Sequence, residues 1–322
     1  MTETIDTPAQ MRDHHCAVVP GWDGREGVGV RLSVAAMGTR FELLLGGEDP
    51  TRLRGAGEAA IDEILRWHAM LSCFDTGSET SRLNEGAALA PVRVGPELLR
   101  LLQTCKRAWE DSHGAFDISV GPLLHAWGLR EPPLSLDESR ARTGMHLVEL
   151  DAAAGTVRFA RQGVRLDLGG VGKGAALDAV ATLLREAGVT RAFVHGGTSS
   201  VLTIGTPPDQ PAWRVRLPSP PGLDLPPLDV DLRDASLSVS APNGRLSRDG
   251  RAHVIDPRRG EPVEGSHAAC VVAPSGVEAE IGSTAMLVLG YRPRLSPTCR
   301  TFMAGPAAWK VEGEDDADFG ST

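Results

Sequence analysis

The segment VRLDLGGVGKGAALDAVATLLREAG, residues 164–188, limits the possible folds more than any other part of the chain. Val164, Leu166 and Leu168 alternate as they would on one side of a strand. Glycines at 169, 170, 172 and 174 follow, and then Ala176, Val180, Leu183, Leu184 and Ala187 recur at helical spacing up to Gly188, a suitable cap. A strand feeding a glycine turn into a helix presents backbone N–H groups and the positive end of the helix dipole. Such a turn serves either close packing or an anion, and Lys173 tilts the balance toward the anion.

The Gly-Lys-Gly at 172–174 resembles a nucleotide phosphate loop but lacks its parts. A Walker loop needs Gly-x4-Gly-Lys-Ser/Thr, where the final hydroxyl binds Mg²⁺. Asp167 stands at the first glycine position and Gly174 at the hydroxyl position. A dinucleotide fingerprint fails too, since the third glycine and the βαβ frame are missing.

Three other stretches carry chemistry-bearing residues. In EAEIGSTA, Glu280, Ser283 and Thr284 fall at i, i+3 and i+4 on one helix face, a set of hard oxygen donors or an ordinary polar face. HVIDPRRG closes a strand with an Asp-Pro turn and puts His253 at a sheet edge, within reach of a phosphate or in place to act as a base. GAFDISVGPL combines Phe116 and Asp117 with glycines, and can cradle a flat ring or simply pack.

Elsewhere, VRLSVAAMGTRFELLLGG reads as two strands around MGT, and RLRGAGEAAIDEILRWHAML as a helix burying Ile61, Ile64, Leu65, His68 and Leu71, with His68 a satisfied core histidine. A helix after Pro96 buries Leu98, Leu102, Cys105 and Trp109 and stops near Gly114. Residues 148–168 read as a hairpin followed by the VRLDL strand, and residues 191–274 as short strands around a proline-rich surface loop, PSPPGLDLPPLD. A last helix ends at Gly290, after which Pro293 and Pro297 disfavour another. Hairpins mixed with isolated helices predict an α+β fold, with mixed or antiparallel sheets and packed helices, rather than a doubly wound one. The expected organisation is an arm over 1–29, one domain over 30–310 and an acidic disordered tail over 311–322.

The net charge of −9 argues against nucleic acid. The five cysteines are scattered without a Cys-x-x-Cys pair, which reads as idle thiols in a reducing compartment. His14, His15 and Cys16 adjoin one another on the arm, where a closed metal site is not expected. With no signal-peptide pattern and no apolar run of about 18 residues, a cytoplasmic protein is expected.

Taken in order, MGTRFEL, SCFDTGSETSRLN, GAFDISVGPL with WG, LDLGGVGKGAALD, HGG, HVIDPRRGEP and GSTAMLVLG closely resemble the ApbE family of FAD:protein FMN transferases, from about Val30 to Gly290. The resemblance implies a single ApbE-like domain that binds FAD and Mg²⁺. It also implies transfer of FMN to a threonine or serine hydroxyl of an acceptor flavoprotein carrying a flavinylation motif, with release of AMP.

By motif, the resemblance assigns Met37, Phe74 and Ser78 to the flavin pocket, and Ala115, Phe116 and Asp117 to FAD contacts. It makes the glycine turn the diphosphate platform, with Gly169, Lys173, Ala175 and Asp178 on the FAD side and His253 and Ile255 near flavin and phosphates. The metal ligands it implies are the Gly172 carbonyl, Glu280, Ser283 and Thr284, and the candidate bases are His253 and Glu280. The chain departs from the family in having Glu280 for aspartate, and Val239 and Ala241 where relatives have a threonine and a glycine. Two other readings accompany the transferase: an FAD pyrophosphatase, and a flavin-binding protein without transfer.

Overall fold

The structure, a computed structural model, describes residues 17–20, 28–130, 134–242, 253–265 and 267–312. It opens with β1 (Ala17–Pro20), β2 (Val28–Ala36) and β3 (Thr39–Gly47), paired in turn as antiparallel neighbours. β1 falls inside the stretch expected to be a loose arm, so the sheet draws on residues before Val30. Residues 1–16, with His14, His15 and Cys16, and 21–27 of that arm lie outside the described residues, as does 313–322 of the expected tail. Met37 and Gly38 have φ of 52° and 68°, the two left-handed residues a tight hairpin turn requires. Val30, Leu32, Val34, Phe41, Leu43 and Leu45 all bury on one face of this hairpin.

That face is covered by α1 (Pro50–Leu71), which starts where Asp49 caps the amides of Thr51 and Arg52 at 2.9 and 3.2 Å. Ile61, Ile64 and Leu71 bury as expected, and Leu65 and His68 are half-buried. Next come α2 (Glu79–Gly86), β4 (Val92–Arg93), α3 (Pro96–Asp111), the short α4 (Gly121–Ala126) and α5 (Leu136–Arg140). β5 (Val148–Asp151) and β6 (Thr156–Phe159) form the expected hairpin, and β4 joins it to make three strands.

The VRLDL strand does not form. Val164, Leu166 and Leu168 do bury alternately, but the segment pairs with a side chain instead of a strand. The Leu166 N–H donates to Asn84 Oδ1 at 2.7 Å, and Asn84 Nδ2 donates to the Leu166 carbonyl at 2.9 Å. One amide side chain thus satisfies the backbone groups a neighbouring strand would have taken.

The glycine turn then leads into α6 (Gly172–Glu186), followed by β7 (Arg191–Gly196), β8 (Ser200–Ile204), β9 (Trp213–Leu217), β10 (Leu228–Leu232) and β11 (Ser236–Ser240). The proline-rich loop between β9 and β10 is packed rather than free. Ser219 Oγ donates to the Leu223 carbonyl at 2.8 Å, Leu225 is buried, and Trp309 Nε1 donates to the Pro226 carbonyl. β12 (Ile255–Asp256), β14 (Ala268–Ala273) and α7 (Gly276–Leu289) complete the segments anticipated from pattern, and the two-residue β13 (Glu261–Pro262), not anticipated, pairs with β12. Two strands not anticipated follow Gly290: β15 (Arg300–Ala304) pairs with β14, and β16 (Trp309–Glu312) pairs with β15. β16 takes in the first two residues of the expected tail.

The main sheet has nine strands in the order β1-β2-β3-β7-β8-β11-β14-β15-β16, all antiparallel neighbours. This is the expected α+β architecture. α6 and α7 meet at a pair of glycines, where a Cβ on Gly174 would stand 2.3 Å from the Gly276 carbonyl oxygen. Only bare backbone permits that approach, and it brings the face of α7 that carries Glu280 against the start of α6.

Candidate functional site

The glycine turn is built from its own backbone and one carboxylate. Asp167 Oδ1 accepts the Gly169 N–H at 2.9 Å, and the Leu168 carbonyl accepts the N–H groups of Val171 and Gly172 at 3.1 and 2.8 Å. No side chain caps α6 from the preceding residue. Glu280 reaches across from α7 instead, and its Oε2 accepts the Gly174 N–H at 2.8 Å. Its Oε1 takes the Ser200 hydroxyl at 2.7 Å and the Lys173 ammonium at 2.8 Å. A carboxylate this buried persists only with such compensation. Glu280 therefore ties α6, α7 and β8 together, and its three donors oppose a second role as proton acceptor. Lys173, expected on the cofactor side, is its counter-ion.

Thr284 stands one turn further along α7. A Cβ on Gly170 would make ordinary contacts 3.9 Å from Thr284 Oγ1 and 3.8 Å from the Phe116 ring, so turn, hydroxyl and ring converge at this point. Ser240 Oγ is 3.4 Å from Thr284 Oγ1 and 2.9 Å from Ser283 Oγ. Ser283 is fully buried and also donates to Ser238 Oγ at 3.0 Å. Ser283, expected among the metal ligands, thus stands in the seam between α7 and β11.

The remaining candidates are partly structural. Burial pushes the Asp117 carboxyl up to about 6, against the opposing effect of bonds from Ser119, the Met145 backbone and Trp109. The Ser119 N–H and hydroxyl approach it at 2.7 and 2.6 Å. Asp117 anchors the loop that carries the buried Ala115 and Phe116. Met37 donates its N–H to His68 Nδ1 at 3.0 Å, and burial pushes the imidazole pKa down. His68 is thereby the satisfied neutral histidine that was expected.

Ser78 caps α2 and donates to the Ser72 carbonyl at 2.5 Å, a fold position rather than a ligand-facing one. Asp178 accepts the Gly276 and Val277 N–H groups at 2.5 and 3.0 Å, capping α7. Ala175 is buried beneath the turn, Ile255 packs on Leu123 and Leu124, and His253 is half-buried two residues before it. Phe74 is 70% exposed, with the Arg130 guanidinium 4.9 Å from its ring centre.

The donor chemistry suits a hard divalent cation: the Gly172 carbonyl, the Thr284 hydroxyl and the remaining lone pair of Glu280 Oε2 are all oxygens. Among the described residues, no three His, Cys, Asp or Glu side chains gather to hold a metal. A cation here would draw on hydroxyl, backbone and substrate oxygens, as Mg²⁺ does beside phosphates.

A family profile for ApbE matches residues 37–296, the span that contains the turn, Phe116, Glu280 and Thr284. The chain belongs to the ApbE family. Among curated relatives, the FAD:protein FMN transferase of Salmonella typhimurium is 29% identical over 276 residues, covering 80% of this chain and 78% of its own. That of Treponema pallidum is 30% identical over 286 residues, covering 79% of each. Two solved structures share the fold. The ApbE protein of Thermotoga maritima has a TM-score of 0.76 at 23% identity over 89% of this chain and 97% of its own. The flavin transferase ApbE of Vibrio cholerae has a TM-score of 0.74 at 21% identity over 90% and 98%.

Three residues that the structure brings against Glu280, Thr284 or the glycine turn were not among the expected site residues: Ser200, Ser240 and Arg130. Ser240 had a signal, since Ser236, Ser238 and Ser240 alternate in SLSVS and so share one face of a strand. Ser200 and Arg130 had none, because each meets its partner only through the fold.

Proposed function

We propose that the chain transfers the FMN half of FAD to a threonine or serine hydroxyl of an acceptor flavoprotein, with Mg²⁺ bound and AMP released. The observation that carries this reading is the convergence at Gly170 of the glycine turn, the Thr284 hydroxyl and the Phe116 ring. There, amides of the turn and the dipole of α6 bind the FAD diphosphate, and Phe116 borders the flavin side. The Gly172 carbonyl, Glu280 and Thr284 would hold Mg²⁺, which would neutralise charge on the phosphate oxygens. The acceptor oxygen attacks the FMN phosphorus in line, a P–O bond forms as the bond to the AMP phosphate breaks, and AMP leaves with the electron pair. With Glu280 held by three donors, His253 is the residue that takes the acceptor hydroxyl's proton.

One observation favours a flavin holder without transfer. The Lys173 ammonium and Ser200 hydroxyl on Glu280 Oε1 compete with a cation for that carboxylate. Mass analysis after incubation with FAD, Mg²⁺ and an acceptor flavoprotein separates the readings. An acceptor–FMN adduct with free AMP supports transfer. Free FMN and AMP support a pyrophosphatase, and intact FAD supports a holder.

A further inference from the structure

Strand β11 delivers hydroxyls to the same stretch of α7 that the site draws on. In SLSVS, Leu237 buries toward β9 and β10, while Ser238 and Ser240 share the opposite face and meet α7. Ser240, the last residue of β11, is half-buried. Its Oγ stands 2.9 Å from Ser283 Oγ and 3.4 Å from Thr284 Oγ1. Among the described residues, no other group hydrogen-bonds to the Thr284 hydroxyl.

Counting hydrogens fixes the direction of these bonds, because a hydroxyl has one hydrogen to give and lone pairs to accept with. Ser283 spends its hydrogen on Ser238 Oγ at 3.0 Å, with the Glu280 carbonyl as a second acceptor at 3.3 Å. Ser240 must then donate to Ser283, and with that hydrogen spent it can only accept from Thr284. The order of donation is Thr284 to Ser240 to Ser283 to Ser238. The Thr284 hydrogen therefore points at β11, and the lone pairs of its oxygen are left for another partner. A cation requires that arrangement, since it binds a lone pair and repels a hydrogen aimed at it. By drawing electron density from the Thr284 oxygen, it would also strengthen each bond down the chain of hydroxyls.

We propose that Ser240 is a positioning residue of this site: by accepting the Thr284 hydrogen, it orients the Thr284 hydroxyl as a ligand for the divalent cation. This rests on the metal-dependent flavin reading above and adds a residue outside the expected ligand set. Ser240 acts through Thr284, so its effect falls on metal affinity and leaves flavin binding without metal in place.

The test is Mn²⁺ binding in the presence of FAD, followed by loss of the free-ion EPR signal, beside metal-free FAD binding, followed by quenching of flavin fluorescence. The proteins are the wild type, Ser240→Ala, Ser240→Thr, Thr284→Val and the double variant Ser240→Ala with Thr284→Val. Ser240→Ala should raise the Mn²⁺ Kd about tenfold while the metal-free FAD Kd stays within about twofold. Ser240→Thr, which keeps the hydroxyl, should restore most of the affinity. On the Thr284→Val background, Ser240→Ala should add nothing, since no hydrogen is left to accept. A Ser240→Ala Mn²⁺ Kd within about twofold of the wild type overturns the proposal. So does an equal weakening on the Thr284→Val background, since Ser240 would then act without Thr284, or an equal weakening of metal-free FAD binding, since it would then act through the fold. If Ser240→Ala does not fold, Ser240→Cys, whose thiol is a weak acceptor, decides by the same criteria. Wild-type protein that binds FAD but no Mn²⁺ overturns the metal reading itself, and this proposal with it.

Discussion

Replacing Lys173 with Met removes the cation that, among the described residues, pairs with a carboxylate whose side chain is 4% exposed. Two neutral donors remain, the Ser200 hydroxyl and the Gly174 N–H. Breaking a buried ion pair from one side costs about 3–5 kcal/mol. The Lys173 side chain is 20% exposed, so water reaches the vacated side, and with the two remaining bonds the expected loss is about 2–3 kcal/mol. For a domain of this size that is a fall in Tm of roughly 3–5 °C. Thermal and urea unfolding at neutral pH measure it. The double variant Lys173→Met with Glu280→Gln removes both charges and should be more stable than Lys173→Met by ~1 kcal/mol or more. A Lys173→Met protein that melts within about 1 °C of the wild type would refute the claim that this pair locks α6 to α7.

Two further outcomes follow from the packing. Asp117 has a folded pKa raised from 3.8 to about 6 by burial, so its contribution to stability is complete below about 4 and is lost as pH rises through about 6. At ~1.4 kcal/mol per pH step the loss is roughly 3 kcal/mol, and the stability difference between wild type and Asp117→Asn, from urea unfolding between pH 4 and 8, should shift toward the variant by about that much as pH rises. Gly174→Ala places a methyl 2.3 Å from the Gly276 carbonyl and should cost more than about 3 kcal/mol or prevent folding, whereas Gly55→Ala, with nothing within 4 Å, should be neutral or stabilising by roughly 0.5–1 kcal/mol in the same unfolding assay.

The long helices were legible because each repeats its apolar residues on one face: Ile61, Ile64 and Leu71 in α1, Leu98, Leu102 and Cys105 in α3, Ala176, Val180 and Leu184 in α6; the short α2, α4 and α5 were not anticipated, and α4 falls in a stretch that reads as a loop. Met-Gly between alternating strands announced the first hairpin. VRLDL had the right alternation and still formed no strand, since the Asn84 amide, 82 residues away, takes the role of a neighbour. β15 and β16 were hidden behind Pro293 and Pro297, which forbid a helix but leave later strands open. At the site, local motifs located the glycine turn, Phe116 and Thr284. Local pattern could not reveal that Glu280 would be held by Ser200, 80 residues away, and by the Gly174 N–H, 106 residues away. Sequence distance conceals how a charge is compensated, here by three donors on one carboxylate.

The account is tested most directly by the intact mass of an acceptor flavoprotein incubated with FAD, Mg²⁺ and either the wild-type chain or Thr284→Ala. It predicts one FMN added by the wild type, with AMP released, and little or none by Thr284→Ala at the same FAD and Mg²⁺. An acceptor left unmodified by wild-type protein that binds FAD, or modified equally by the variant, would contradict it.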